Sequence, residues 1–183
     1  MLISFGKKIE LGKCYITDRA KNEPVQASLI KFDCKDRSDS ALIKNLGSSW
    51  KFNHSIADKM LDVYYRQRDT ESPYEFYAIE TQNGEIVGIA QTKNLGREMI
   101  LDLIESEREK KYKYVGKNMI SFLCAEALKK GKESIYIPNP VLNAREFYTK
   151  KCGFKITKNE PSMELNKFGM KRALKTTPID YFA

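Results

Sequence analysis

The chain has 183 residues, enough for one domain with a full core and too few for two large ones. Hydrophobic residues make up 42% and charged residues 31%, which excludes a disordered or low-complexity chain. A formal net charge of +8 favours anionic partners such as nucleic acid, a phosphorylated cofactor or an acidic protein, without choosing among them.

Residues 1–24 read as an irregular or short-stranded N-terminal extension that ends near Pro24, and 25–183 as a single domain. Val25–Phe32 (VQASLIKF) is expected as a strand. Two helices follow: Ser38–Leu46, stopped by Gly47, and one opened by the capping-box-like Ser55-x-x-Asp58, with Ile56, Met60, Val63 and Tyr64 at helical spacing. The period then changes. Glu75–Thr81 and Glu85–Thr92 are rich in β formers and flank Gln82-Asn83-Gly84, where Asn-Gly suits a tight hairpin because both residues tolerate positive φ. Met99–Ile104 is a third antiparallel strand. Lys117–Lys130 is predicted as a long helix with Ile120, Leu123, Cys124, Ala127 and Leu128 in one stripe, closed by Gly131. Ser134–Ile137 is a short strand ended by Pro138 and Pro140. Asn143-x-x-Glu146 opens a helix that closes before Cys152-Gly153, and Phe154–Thr157 and Met163–Leu165 are terminal strands. Alternation after the meander predicts an α/β fold whose strands on either side of the long helix are parallel.

The four cysteines (Cys14, Cys34, Cys124, Cys152) show no Cys-x-x-Cys spacing and meet a single histidine, His54, so neither a zinc site nor a disulfide framework is expected. No apolar run approaches the roughly 20 residues of a membrane span. The opening MLISFGKKIELGK places its charges after its apolar residues, the reverse of a signal peptide. A cytoplasmic setting without membrane contact is the default expectation.

The stretch Lys113-Tyr114-Val115-Gly116-Lys117-Asn118 stands where a strand gives way to a helix. Backbone N–H groups and the positive end of the helix dipole converge there, which suits an anion, whereas a lone glycine among lysines equally suits a solvated turn. Neither a Walker loop nor a dinucleotide fingerprint is present. The segment resembles the pyrophosphate-binding loop of the GNAT acetyltransferase superfamily, Gln/Arg-x-x-Gly-x-Gly/Ala: Gly116 matches, Lys113 is a basic stand-in, and Asn118 departs from the small residue usual at the last position. Asn143–Phe154 (NAREFYTKKCGF) resembles the Ala-x-x-x-Tyr-x-x-x-Gly-Phe helix of the same family through Ala144, Tyr148, Gly153 and Phe154, with one residue more between Tyr148 and Gly153. Val141 stands where the family often has asparagine, which leaves that contact to Asn139 or Asn143.

The resemblance implies a mixed, mostly antiparallel sheet with helices on both faces and a parallel strand pair splayed at the cofactor site. It implies acetyl-CoA held by Ile104, Lys113, Tyr114, Val115, Gly116, Lys117 and Asn118 with Asn139 or Asn143, and direct attack by a primary amine in a ternary complex. Tyr148 is then the acid; the base is Asp102, out of place in the apolar run Met99–Ile104, or Glu105, or a water relay. The acceptor, a small molecule, a protein or an aminoacyl-tRNA, is not named by any residue. An aminoacyl-tRNA-acetylating toxin and a non-catalytic CoA-binding or interaction module are the alternatives, and a homodimer is left open.

Overall fold

The computed structural model describes residues 9–32, 74–107, 111–158 and 161–182. The two helices expected within 38–68, together with Cys34 and His54, lie outside the described residues. The described strands are β1 (Ile9–Asp18), β2 (Pro24–Lys31), β3 (Tyr74–Thr81), β4 (Ile86–Leu95), β5 (Glu98–Ser106), β6 (Tyr112–Lys113), β7 (Ser134–Ile137), β8 (Lys155–Ile156), β9 (Met163–Asn166) and β10 (Asp180–Tyr181). The α-helices are α1 (Val115–Lys129) and α2 (Lys167–Thr176). They form one sheet in the order β10-β1-β2-β3-β4-β5-β7-β9-β8, with β6 also on β1. Every described pairing is antiparallel except β5 with β7, so the sheet is the mixed one the sequence predicts.

The N-terminal segment differs from the expectation. Ile9–Asp18 is a ten-residue strand, paired with β2 from Ile9↔Lys31 to Thr17↔Pro24, and it buries Cys14 and Ile16 in the main core. Its low apolar content disguised it, because only alternate side chains face inward. The Asn83-Gly84 hairpin forms, but only Gly84 takes positive φ (78°). The Gly84 amide donates to Thr81 O, and the Thr81 amide to Glu85 O, so the loop is one residue longer than a two-residue turn.

Helix α1 starts at Val115, two residues before the expected start, and ends in a Schellman turn at Gly131 (Gly131 N to Leu128 O 3.0 Å, Lys132 N to Ala127 O 2.8 Å). It is buried on nearly every side rather than along one stripe, since Asn118 to Ala127 are all buried. One side faces the sheet. The other is covered by α2, a helix absent from the expectation, whose first turn is capped by Asn166 Oδ1 accepting from Gly169 N at 2.9 Å. Ser121 Oγ donates to Ala173 O at 3.4 Å across this contact. The chain then crosses to the far edge of the sheet, where β10 pairs with β1 at Gly12↔Tyr181. A helix covered on both sides needs apolar residues all round, and Met119, Phe122 and Ala125 supply them off the stripe.

Charged groups under the C-terminal end of α1 are paired in a network of ion pairs and hydrogen bonds. The Glu75 carboxylate accepts from Lys31 Nζ (2.6 Å), Asn94 Nδ2 (2.8 Å) and Lys130 Nζ. Lys130 also donates to Tyr77 Oη at 2.8 Å and pairs with Glu126 at 3.1 Å, while Tyr181 donates to Glu126 Oε1. Burial pushes the Glu75 carboxyl up, but the hydrogen bonds and charges of Lys130 and Lys31 outweigh it and leave it at about 2, against an ordinary 4.5. A carboxyl depressed by folding adds stability above its unfolded value and loses it as pH falls through the folded one. Glu75→Gln should therefore lower unfolding free energy at pH 7 by on the order of 2–3 kcal/mol, and the gap from the parent should close between pH 4.5 and 2. Urea titrations at both ends of that window check this; a deficit that persists unchanged at pH 2 contradicts it.

Candidate functional site

The parallel ladder between β5 and β7 covers only Glu98↔Ser134, Met99↔Ile135 and Ile100↔Tyr136. Beyond it, β7 ends at Ile137 and the Pro138–Pro140 stretch. Strand β5 runs on to Ser106 paired with β4 alone. The ladder of β4 with β5 slips between Gln91↔Leu103 and Thr92↔Leu101, which leaves Asp102 as the extra, bulged residue. A bulge bends its strand and strengthens its twist, so β5 turns away from β7 at this point. The half-buried Leu103, Ile104 and Glu105 follow, on the open side of β5.

At the end of this gap stands the N-terminus of α1. Tyr114, its N-cap, is a non-glycine residue in the left-handed region (φ 68°, ψ 2°), and no side chain caps the helix. The first helical bond runs from Asn118 N to Tyr114 O (2.9 Å), which leaves the N–H groups of Val115, Gly116 and Lys117 without a helical acceptor. No acidic residue occupies the first turn. A recess of about 200 Å³ opens against Tyr114, Val115 and Gly116. Close packing holds the helix start on the sheet: a Cβ at Gly88 would lie 2.7 Å from Val115 Cγ1. The structure also joins the two sequence motifs. A Cβ at Gly116 would lie 3.2 Å from Phe147 Cζ and crowd the ring, so the glycine answers to close packing rather than to a special φ.

Phe147–Lys151 is a π-helical turn, preceded by a 3-10 turn at Leu142–Ala144. The extra residue between Tyr148 and Gly153 is absorbed here, since a wider turn takes one more residue over the same span. Gly153 (φ 81°) ends the turn and Phe154 N donates to Tyr148 O at 3.0 Å. Tyr148 is buried, with edge-on contacts to Phe147 (5.4 Å) and Phe154 (5.6 Å). Burial, with the neighbouring Cys152 thiol, pushes its phenol up to about 12. Asp102 projects from the bulge at an exposed position; desolvation raises its carboxyl, partly offset by a hydrogen bond with Gln91 and the charge of Lys93. Tyr148 thus lies in the turn that follows β7, and Asp102 lies on β5.

Two expected residues are engaged by the N-terminal hairpin. Lys113 lies in β6, paired with Thr17, and its ammonium donates to Asn22 Oδ1 at 3.3 Å. Asn118 is buried, and its amide donates to Tyr15 O at 2.8 Å. Both departures from the loop pattern therefore hold strand β1. Asn143 and Asn139 are both exposed, on either side of the second proline. A further cavity of about 470 Å³ lies between the π-turn and α2, with Lys117, Lys150, Lys151, Lys155 and Arg172 around the exposed Phe168. Sequence reasoning missed Arg172 and Phe168 with the rest of α2. No group of three or more His, Cys, Asp or Glu that could hold a metal occurs among the described residues. No helix among them is long and apolar enough to cross a membrane.

This strand order, with one parallel pair opening toward a helix N-terminus, defines the GNAT acetyltransferase fold. No protein-family model matches the chain, and no curated protein matches it in sequence. Solved structures do. The chain is similar to a GNAT-family acetyltransferase from Staphylococcus aureus, at 14% identity over 77% of this chain and 99% of that one (TM-score 0.56). It is similar to mutant forms of the spermidine/spermine N-acetyltransferase SpeG from Vibrio cholerae, at 14% identity over 80% and 96% (TM-score 0.58). It is also similar to the PaiA N-acetyltransferase from Thermoplasma acidophilum, solved in complex with coenzyme A, at 18% identity over 76% and 98% (TM-score 0.56).

Replacing Asn118 by Ala removes this part-buried hydrogen bond to the Tyr15 carbonyl, which costs about 0.5–1.5 kcal/mol. Thermal unfolding of Asn118→Ala against Asn118→Asp separates a lost donor from lost volume. Equal melting temperatures for parent and Asn118→Ala rule out the anchoring role.

Proposed function

We propose that the protein is an acetyl-CoA-dependent N-acetyltransferase that acts on a primary amine by direct attack in a ternary complex. The observation that carries this reading is the short β5–β7 ladder that opens toward three uncapped helix amides at the start of α1. A thioester with a pantetheine arm and a diphosphate matches that layout: an extended chain between strand edges, and anionic oxygens on amides backed by a helix dipole. The fold shared with N-acetyltransferases, one of them solved with coenzyme A, supports the same donor.

Acetyl-CoA is here a substrate, the acyl donor. The amine nitrogen bonds to the thioester carbon and the C–S bond breaks, so one proton must leave the nitrogen and one must reach the sulfur. Asp102 is assigned the first task, since its raised carboxyl is a stronger base than an ordinary one. Glu105 and a water relay are the other routes. Tyr148 is assigned the second, because a phenol held at about 12 stays protonated through neutral pH and can donate to a departing thiolate. The donor contacts are assigned to Ile104, Tyr114, Val115, Gly116 and Lys117, with Asn139 or Asn143 near the pantetheine; Asn118, whose amides are engaged at Tyr114 O and Tyr15 O, is assigned the support of that turn. The basic wall of Lys117, Lys150 and Lys151 supports a phosphate-rich donor.

Calorimetry with CoA and acetyl-CoA tests the reading, and micromolar binding is expected. Failure of both to bind ends it. With an acceptor found by screening amines, peptides and aminoacyl-tRNA for acetyl-CoA consumption, Tyr148→Phe should lower kcat by about 10²–10⁴ with little change in CoA affinity. Unchanged turnover removes Tyr148 from the chemistry. Asp102→Asn should lower kcat/KM most above the Asp102 pKa, where the parent carboxylate is ionised. A variant that keeps the parent pH profile transfers the role to Glu105 or water.

A further inference from the structure

We infer that Arg19, at the tip of the N-terminal β1–β2 hairpin, binds the diphosphate of the acyl donor in place of Lys113. The inference rests on the acetyl-CoA reading above and concerns a residue outside both sequence motifs.

The basic residue that the loop pattern supplies is engaged elsewhere, since the Lys113 ammonium reaches Asn22 Oδ1 in the hairpin turn. What holds it there also delivers another cation. Strand β1 is fastened to the phosphate end of the site by the β6 ladder (Thr17↔Lys113, Asp18↔Tyr112) and by Asn118 Nδ2 on Tyr15 O. Arg19 itself is held by its backbone N–H on Lys111 O at 2.9 Å. The turn around it is built rather than loose: Asp18 Oδ1 accepts from the amides of Ala20 (2.8 Å) and Lys21 (3.2 Å). Arg19 thereby lines the 200 Å³ recess together with Ser106, Glu107, Tyr112, Tyr114, Val115 and Gly116, the last three carrying the start of α1.

Charge balance then decides the role. Among the described residues that line the recess, Arg19 is the sole cation, and Glu107, the one carboxylate, has a partner of its own. A diphosphate entering it meets the helix amides of α1, and Arg19, which shares the recess with them, adds the positive charge. Its planar fork donates to two oxygens at once, which an ammonium cannot do. The added N-terminal strand, on this view, is part of the donor site.

Calorimetric titration of the full chain with CoA, over a range of salt concentrations, tests this. Arg19→Ala should weaken CoA at least about tenfold and flatten the salt dependence of Kd, while Arg19→Lys should recover part of both. Its melting temperature should match the parent, since Arg19 is exposed. Parent-like CoA affinity in Arg19→Ala overturns the inference. So does weakened binding with an unchanged salt slope, which would mark a structural effect. If the parent chain itself fails to bind CoA, the donor reading falls and this inference with it; if only the variants are unaffected, the donor reading stands alone.

Discussion

Three residues of parallel pairing set the layout of the site. Strands β5 and β7 stay together only from Glu98 to Ile100, because the bulge at Asp102 turns β5 away and Pro138 ends the regular hydrogen bonding of β7. A longer ladder would close the gap with backbone hydrogen bonds. A shorter one would lose the registry that sets Ser134–Ile137 beside the core residues Met99 and Leu101. The bulge also explains an oddity of composition, a carboxylate within an apolar strand. In a regular strand, Asp102 would have to match one face or the other; as a bulged residue it is unpaired and exposed. A costly side chain is thus tolerated where the strand must bend.

The second constraint is α1. With the sheet on one side and α2 on the other, it has little freedom to shift, and its first turn is held by Val115 against Gly88 and by Gly116 against Phe147. That fixes uncapped amides relative to the gap, as preorganised electrostatics requires. At the other end, Glu126 and Lys130 would be expensive to bury singly. They are tolerated because Glu75, Tyr77, Lys31 and Tyr181 complete a network in which each charge has an opposite partner. The network draws on β2, β3, α1 and β10, so the C-terminal segment is tied to the same helix whose opposite end faces the proposed donor.

The legible parts of the sequence were those with local signals. The strands of the meander, the Asn83-Gly84 turn, Gly131 and the Gly116 joint announce themselves by period or by turn chemistry. The strand β1 did not, since IELGKCYITD alternates around a glycine and its inward Cys14 and Ile16 are sparse. Helix α2 went unread although Met170, Ala173 and Leu174 recur at i, i+3, i+4, because ten residues with four basic side chains, a glycine and a threonine carry little apolar signal. A clue did exist in α1. Met119, Phe122 and Ala125 fall outside its predicted stripe, and apolar residues on a second face call for a second covering element. The contacts of Lys113 and Asn118 were beyond reach, because their partners Asn22 and Tyr15 lie about a hundred positions away in the chain.

The residues that fit the family pattern least well prove to be those with the most specific work. Asn118, in place of a small residue, holds β1 through a part-buried hydrogen bond. The extra residue after Tyr148 poses a harder problem, since one insertion in an α-helix rotates everything downstream by about 100° and advances it by about 1.5 Å. Left uncorrected, that rotation would take either Tyr148 or Phe154 out of the core. The π-turn at Phe147–Lys151 absorbs the residue locally, so both aromatic rings stay buried and in edge contact while Gly153 still ends the helix. The strain of the wider turn is confined to the segment that carries the proposed acid. Its position is thereby set by the packing of Phe147 and Phe154 on either side, not by the regularity of the helix.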